Sequence, residues 1–121
     1  MLFRSPGFYL SNSGYNLEYR VENVGEIADI WSQRSEVGIH KSGMVVANPV
    51  KNQMDKAQHD LLLAQGLERA EKEGIRGKEV TPFLLEFFHS QSNGESLRVN
   101  IEIIKENSAL AAQIAVASQN R

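Results

Sequence analysis

Six consecutive positions read FLLEFF, at residues 83–88, and this run constrains the fold more than any other feature of the chain. It follows Thr81 and Pro82, which are typical of the cap and the first position of an α-helix. A helix that begins there and ends at the Ser-Asn-Gly sequence of residues 92–94 is apolar on nearly every side. Such a helix must be buried, so we expect it inside a larger domain or at a subunit interface.

Three other helices are predicted from apolar periodicity and from end signals. The first begins after Asn23, where Glu26 would complete a capping box, and it ends at Gly38. The second covers residues 55–73 and stops at Gly74, where a left-handed residue would end the helix. The last helix covers about residues 96–118.

Short strands are predicted at two places. Residues 7–13 are rich in aromatic side chains between turn formers, and residues 44–47 form a continuous apolar run typical of a strand covered on both faces. Residues 15–21 alternate between apolar and polar and suit a further extended segment. The order of strand, helix, strand and three helices indicates an α/β fold that is mostly helical. Because two short strands make a poor sheet alone, we expect the other strands of the sheet to lie elsewhere.

The composition indicates a globular protein with no electrostatic preference for a polyanion. Apolar residues make up 41% of the chain, and 13 basic residues against 15 acidic ones leave a net charge of −2. Neither nucleic acid nor an anionic membrane is therefore expected as a partner. Cysteine is absent, no apolar run approaches the roughly 20 residues that span a bilayer, and Pro6 interrupts the start too early for a signal peptide. We expect a soluble, cytoplasmic protein.

The glycines at positions 74 and 77 raise the question of a phosphate-binding loop. A Walker-type loop needs a glycine five positions before the Gly-Lys pair and a serine or threonine after it. This chain has Lys72 and Glu79 at those positions, so the pattern fails. Two interpretations stay open: the backbone N–H groups after Thr81 bind an anion with Lys78 nearby, or the segment is an ordinary junction between two helices.

The histidines give no signal for a metal site. His40, His59 and His89 are far apart in sequence and have no paired carboxylates at ligand spacing. His59 and Asp60 are adjacent on the second helix, and neighbours at that spacing are not expected to face each other. All three histidines are predicted to lie on the surface.

Asparagines on the apolar face of the last helix are the stronger candidates for a polar site. Asn100 and Asn107 lie seven residues apart and share a face with Leu97 and Ile104. An asparagine on such a face needs hydrogen-bond partners, or it costs roughly 1–3 kcal/mol. It therefore either bonds backbone carbonyls or the other asparagine within the helix packing, or it bonds a ligand in a cleft.

The chain resembles the C-terminal third of the pseudouridine-5′-phosphate glycosidase family. The resemblance is carried by VVANPV at residues 45–50, GIRGKEVTPFLL at residues 74–85 and ESLRVNIEIIKENSALAAQIAVA at residues 95–117. GFYLSNSGY at residues 7–15 fits as well, so nearly the whole chain matches in order. Residues 1–121 are therefore expected to be the C-terminal fragment of a single domain of that family.

The resemblance implies the reversible cleavage of the C–C glycosidic bond of pseudouridine 5′-phosphate to uracil and ribose 5-phosphate. The family uses a lysine that forms a Schiff base with the opened sugar, a carboxylic acid that delivers the proton, and a divalent metal, typically manganese. The imine provides an electron sink beside a bond that has no leaving heteroatom to protonate. None of these groups maps onto this chain, so we expect no catalytic or metal-binding residue here and no activity of the chain alone.

Four substrate-binding residues are carried over from the family. Asn100 corresponds to a family asparagine that reaches the ribose–uracil pocket. Lys78, Glu79 and Thr81 belong to the GKEVT motif and are expected near the pocket or an interface, the alternative being a structural bridge between helices. The resemblance further implies that the chain is the mostly helical part, with two short strands, of an α/β/α sandwich, and that the complete enzyme is a homotrimer.

Two other functions stay open. The chain is either a non-catalytic protein-interaction module, whose helices bind another protein, or a truncated gene product without function. A neighbouring coding sequence for the lysine-bearing part would favour the enzyme or the truncated product, and an intact unrelated gene there would favour the module.

Overall fold

Four α-helices make up most of the structure, a computed structural model that describes residues 5–39 and 41–121. They are α1 (Val24–Glu36), α2 (Lys56–Lys72), α3 (Val80–Gln91) and α4 (Glu95–Gln119), and a short 3-10 helix (Gly77–Glu79) directly precedes α3. α2 packs against α3, α3 turns back into α4, and α1 packs against α4. The predicted, mostly helical content is confirmed.

The helix ends follow from local hydrogen bonds at the predicted positions. The Asn23 side chain accepts the Glu26 N–H at 3.0 Å and the Glu26 carboxylate accepts the Asn23 N–H, which completes the capping box of α1. Asp55 caps α2 by accepting the Gln58 N–H at 2.9 Å. Gly74, with a φ of 71°, ends α2 in the left-handed region, where glycine has no Cβ penalty. The predicted limits of α1, α2 and α4 are confirmed within about one or two residues.

The start of α3 differs from the prediction. Thr81 is the second residue of the helix, and its hydroxyl makes no capping hydrogen bond. The preceding 3-10 turn takes over this role, because the Val80 N–H donates to the Gly77 carbonyl and the first helical turn continues directly from it. Pro82 is accordingly the third residue of α3 and not the first.

The core lies where the N-terminal segment (residues 5–13), α2, α3 and α4 meet. Tyr9 stacks on Phe88 of α3 with ring centroids 5.3 Å apart, and Met54 and Val99 are fully buried beside them. The Met54 N–H donates to the Tyr9 carbonyl at 2.9 Å, which ties the start of the chain to the entry of α2. The N-terminal segment is therefore part of the packed unit although it has no regular secondary structure.

The predicted strands do not form within the described residues. Residues 7–13 contain only an isolated bridge between Gly7 and Leu10, and residues 15–21 and 44–47 have no regular ladder. Within this chain Val45 is 95% exposed, so the predicted covering of residues 44–47 on both faces is not confirmed. A strand requires a neighbouring strand. Ser5 makes backbone hydrogen bonds of 2.8 Å to Ser13 and Tyr15, but these do not continue into a ladder within the described residues. Residues 44–47 make no backbone hydrogen bond to another described segment.

The apolar helix α3 is only partly buried. Phe88 is 3% exposed, whereas Leu85 is 41% exposed and Phe83, Leu84 and Phe87 are half-buried. Within this chain α2 and α4 cover only part of the surface of α3, and burial of the helix inside a larger domain or at a subunit interface stays a prediction. Among the residues that the structure describes, no helix combines the length and apolar character needed to cross a bilayer.

Candidate functional site

A cavity of about 290 Å³ lies between the N-terminal segment, α3 and α4. On α3, the lining residues Pro82, Glu86 and His89 recur at three- to four-residue spacing, so they lie on one face of the helix. On α4, Ser96 and Asn100 are one helical turn apart. The complete lining consists of Phe8, Tyr9, Pro82, Leu85, Glu86, His89, Ser96, Leu97 and Asn100.

Asn100 places a free amide at this cavity. Its side chain is half-buried and makes no hydrogen bond to any residue in the described part of the chain. The bond between Asn100 and Asn107 that the sequence left open does not form, because Asn107 accepts the Asn48 side-chain N–H at 3.1 Å. Asn100 therefore keeps two N–H donors and one carbonyl acceptor for a molecule in the cavity.

Tyr9 contributes a neutral phenol to the same cavity. The residue is 6% exposed, and burial raises the pKa of its hydroxyl, with the Ser96 hydroxyl acting in the opposite direction. The phenol therefore stays protonated near neutral pH and can donate a hydrogen bond. Together with the half-exposed ring of Phe8, the lining offers an aromatic surface and several neutral hydrogen-bonding groups.

The other predicted substrate-binding residues lie outside the lining. Lys78 and Glu79 are exposed in the 3-10 helix, and Thr81 is exposed in the first turn of α3. Pro82, the residue after Thr81, does line the cavity. Of the four predicted substrate-binding residues, Asn100 lines the cavity. Lys78 and Glu79 directly precede α3, and Thr81 lies in its first turn. The part of these three residues in substrate binding stays a prediction.

Sequence reasoning missed Tyr9 and His89 as lining residues. The aromatic run at residues 7–13 predicts a strand, and a strand pattern gives no indication that Tyr9 contacts Phe88. His89 is exposed, as predicted, but the spacing of seven residues from Pro82 places both on the cavity face of α3. That spacing was the available signal.

His59 does not behave as a surface histidine. Its side chain is 13% exposed, its ring lies 5.3 Å from the ring of Phe88, and its Nδ1 is 3.1 Å from Asp60 Oδ1. The expectation that adjacent helical residues do not meet is wrong here, because both side chains turn toward each other along the helix surface. Hydrogen bonds from Lys56 and from His59 hold the pKa of the Asp60 carboxyl below its ordinary value. The prediction for His40 lies outside the described residues.

The residues present do not fit a metal site. No group of three or more histidine, aspartate or glutamate side chains comes together at coordinating positions in residues 5–39 and 41–121. Glu86 and His89 both line the cavity, but two ligands do not make a metal centre. The lining combines these two ionisable side chains with the neutral polar groups of Ser96 and Asn100, which can hydrogen-bond a small polar molecule.

Comparison with known proteins gives the chain its relatives. It is 49% identical over 120 residues to the pseudouridine-5′-phosphate glycosidase of Salinispora tropica, a match that covers 98% of this chain and 37% of that protein. It is 46% identical over 114 residues to the enzyme of the same name from Frankia alni, which covers 93% of this chain and 31% of the relative. The chain thus spans about a third of the length of these relatives.

A solved structure has the same fold over the matched part. The prealnumycin C-glycosynthase AlnA, in complex with ribulose 5-phosphate, superposes with a TM-score of 0.81 at 18% identity, over 97% of this chain and 39% of that one. The family model described as Indigoidine synthase A like protein matches residues 3–117. The chain belongs to this family, which confirms the resemblance to pseudouridine-5′-phosphate glycosidases.

Proposed function

We propose that the chain forms one wall of the substrate site of a pseudouridine-5′-phosphate glycosidase. The observation that carries the proposal is the 49% identity to the Salinispora tropica enzyme over 98% of the chain, together with the position of Asn100 at the cavity. The substrate class is pseudouridine 5′-phosphate, which the complete enzyme splits to uracil and ribose 5-phosphate. The ribulose 5-phosphate bound to AlnA has related sugar phosphate chemistry, which supports this substrate class.

The size of the cavity supports a partial site. Cavities that hold a whole small ligand have volumes of about 300–1,000 Å³ and are closed on most sides. The cavity of this chain, about 290 Å³, lies at the lower limit of this range and is open to solvent. The remaining walls therefore come from the part of the relatives that lies outside the match.

Binding roles follow from this arrangement. Asn100 hydrogen-bonds the ribose or the uracil, Tyr9 and His89 line the same space, and Lys78, Glu79 and Thr81 act at the rim or at the junction with the rest of the enzyme. The Schiff-base lysine, the proton-donating acid and the Mn²⁺ ligands belong to the rest of the polypeptide. For the complete enzyme we further propose an α/β/α sandwich, a homotrimeric assembly and a cytoplasmic location.

A chimera tests the function directly. The 121-residue chain replaces the matched 120-residue part of the Salinispora tropica enzyme, and uracil release from pseudouridine 5′-phosphate is measured with Mn²⁺ present. Activity within about tenfold of the parent enzyme supports the proposal. A folded chimera that releases no uracil contradicts it, with circular dichroism and the parent enzyme as controls.

A second candidate function is that of a non-catalytic interaction module. The observation in its favour is the set of exposed apolar side chains, among them Val45 at 95% and Tyr19 at 85% exposure. A folded but inactive chimera would support either this function or the interpretation that the chain is a truncated gene product without function.

A further inference from the structure

Tyr9 and Ser96 form a pair of hydroxyl groups at the wall of the cavity. Both side chains line the cavity, and Tyr9 is 6% exposed and Ser96 2% exposed. The hydrogen bond from Ser96 acts to lower the pKa of the phenol, which is the effect of a group that donates to the phenolic oxygen. The phenolic proton itself is therefore not used in this bond and stays available as a donor.

The surrounding contacts hold the phenol in one position. The Tyr9 ring stacks on Phe88 with centroids 5.3 Å apart, and the Tyr9 carbonyl accepts the Met54 N–H at 2.9 Å. The Ser96 N–H donates to Ser92 Oγ at 3.0 Å, which fixes the serine at the start of α4. A donor with a fixed direction discriminates between ligands, because a ligand without an acceptor at that point leaves a buried proton unpaired.

The charge of the lining is unfavourable for a phosphate group. Within the described part of the chain, the lining contains the Glu86 carboxylate and neither lysine nor arginine. Phosphate sites in proteins use these cations or free backbone N–H groups at a helix N-terminus. The N–H groups of Glu95 and Ser96, at the start of α4, already donate to Ser92 at 3.2 and 3.0 Å. The cavity therefore suits an uncharged part of a ligand.

The apolar part of the lining suits a planar ring. Phe8 is 48% exposed and Leu97 is 49% exposed, and both line the cavity. Aromatic side chains offer a face on which a nucleobase stacks, whatever its sequence identity. A planar, uncharged ring with an acceptor oxygen at its edge therefore matches both the apolar surface and the phenolic donor.

We propose that Tyr9 donates its phenolic hydrogen bond to a ring carbonyl oxygen of the uracil base, and that Ser96 is a positioning residue that acts through Tyr9. The identity of the base rests on the proposed function. The inference assigns the base, and not the phosphate, to this cavity. It also makes Tyr9 a specificity-determining residue, because the donor favours a base with a carbonyl oxygen at that position.

Equilibrium dialysis of the folded chimera with uracil, 2-thiouracil and 4-thiouracil tests the hydrogen bond, at a pH where all three rings are uncharged. Sulfur is a weak acceptor, so the thiouracil that lacks the contacted oxygen should bind about fivefold or more weakly than uracil. Tyr9→Phe keeps the aromatic ring and removes the donor. In this variant uracil should bind about fivefold more weakly, and the difference between uracil and that thiouracil should fall below about twofold.

Two further variants separate the hydrogen bond from a structural effect. Tyr15→Phe removes the hydroxyl of a tyrosine that is 78% exposed, so it is the matched control and should bind all three rings as the original chimera does. Ser96→Ala should weaken uracil binding in the original chimera and reduce its preference over the thiouracil. It should have no further effect when combined with Tyr9→Phe, because a residue that acts through the phenol needs the phenol.

The outcomes distinguish this proposal from the glycosidase function. Equal binding of uracil to the original chimera and to Tyr9→Phe overturns the proposal, and uracil release by the same chimera would leave the function standing. A chimera that releases no uracil but binds it in a Tyr9-dependent way contradicts the function and supports the hydrogen bond. A folded chimera that binds no uracil overturns the proposal, and so does a loss in Tyr9→Phe that is equal for all three rings. If Tyr9→Phe does not fold, Ser96→Ala decides: an unchanged preference for uracil overturns the proposal, and a reduced preference supports it.

Discussion

The Asn100 amide has two N–H donors and a carbonyl acceptor, and no described residue uses any of them. The cavity lining that includes Asn100 also contains the aromatic ring of Phe8 and the aliphatic chain of Leu97. In a completed site these neighbours exclude water, so an amide without a ligand bond would pay its desolvation cost. Under the proposed function, Asn100 would therefore recognise a polar group of the substrate.

Asn100→Ala in the chimera should lower kcat/KM by about 5- to 150-fold, because one buried polar contact contributes about 1–3 kcal/mol. Uracil release at several substrate concentrations measures the change and divides it between kcat and KM. Gln113→Ala, an exposed position on the same helix, is the control and should leave the kinetics unchanged. Unchanged kinetics of a correctly folded Asn100→Ala variant would assign a purely structural role to Asn100.

Tyr9 links the lining of the cavity to stability at high pH. Burial raises the pKa of its phenol, so the folded state keeps the proton at a pH where the unfolded chain has released it. This contribution to the free energy of unfolding is fully present below the ordinary pKa of about 10 and is lost as the pH rises through the raised value.

Tyr9→Phe should therefore show a smaller loss of stability than the original chain between about pH 9 and pH 11. Urea unfolding at several pH values measures the free energy of unfolding of both proteins. The free energy of unfolding is plotted against pH for each protein, and the two slopes are compared. Lysine titrations affect both slopes equally, so the difference between the slopes reports on Tyr9. Identical slopes would show that the buried phenol does not titrate differently in the folded state.

At the scale of elements, the close approach of α2 and α3 depends on Gly66. A Cβ at this position would lie 2.9 Å from Leu84 Cδ2 and 3.1 Å from Phe87 Cδ1. Gly66 is buried in the contact, so the missing side chain lets the two helices pack closely. Glycine costs about 1 kcal/mol of helix propensity relative to alanine, and this packing offsets that cost.

Gly66→Leu should lower the free energy of unfolding by about 1–3 kcal/mol. The cost of overpacking the contact between α2 and α3 exceeds the stabilisation that the higher helix propensity of leucine provides. Ala64→Leu adds the same kind of side chain at an exposed position of α2 and should change the stability by less than about 0.5 kcal/mol. Thermal and urea unfolding measure both. Equal effects of the two substitutions would contradict the close helix contact.

Elements that depend on local hydrogen bonds could be predicted from the sequence. The box of Asn23 and Glu26 and the left-handed Gly74 are each decided within one helical turn, and both were found. The strand predicted at residues 44–47 is not observed, because a strand needs a partner strand that the local sequence pattern does not provide. The predicted start of α3 was wrong because a 3-10 turn takes the place of the cap expected at Thr81.

The position of Asn100 at the cavity could be expected from its place on an apolar helix face and from the family resemblance. The position of Tyr9 could not, because it depends on the tertiary contact with Phe88.

At the scale of the whole molecule, the exposed apolar surface and the small cavity have one explanation. Val45 and Tyr19 are largely exposed, and the cavity of about 290 Å³ is open to solvent. The chain spans about a third of the Salinispora tropica relative. The proposed division, in which this chain binds the substrate and the remaining polypeptide reacts with it, accounts for both features.

The division of labour can be tested by trapping the covalent step of the complete enzyme. A lysine nucleophile is activated by burial in an apolar pocket or by a cationic neighbour, and Lys78 is exposed and lies outside the cavity lining. When the chimera is incubated with ribose 5-phosphate and borohydride, the reduced adduct should therefore lie on a lysine of the Salinispora tropica part. Peptide mass spectrometry locates it, and Lys78→Arg, which keeps the positive charge, should leave the position of the adduct unchanged. An adduct on Lys78 that disappears in the Lys78→Arg variant would show that this chain itself supplies the nucleophile.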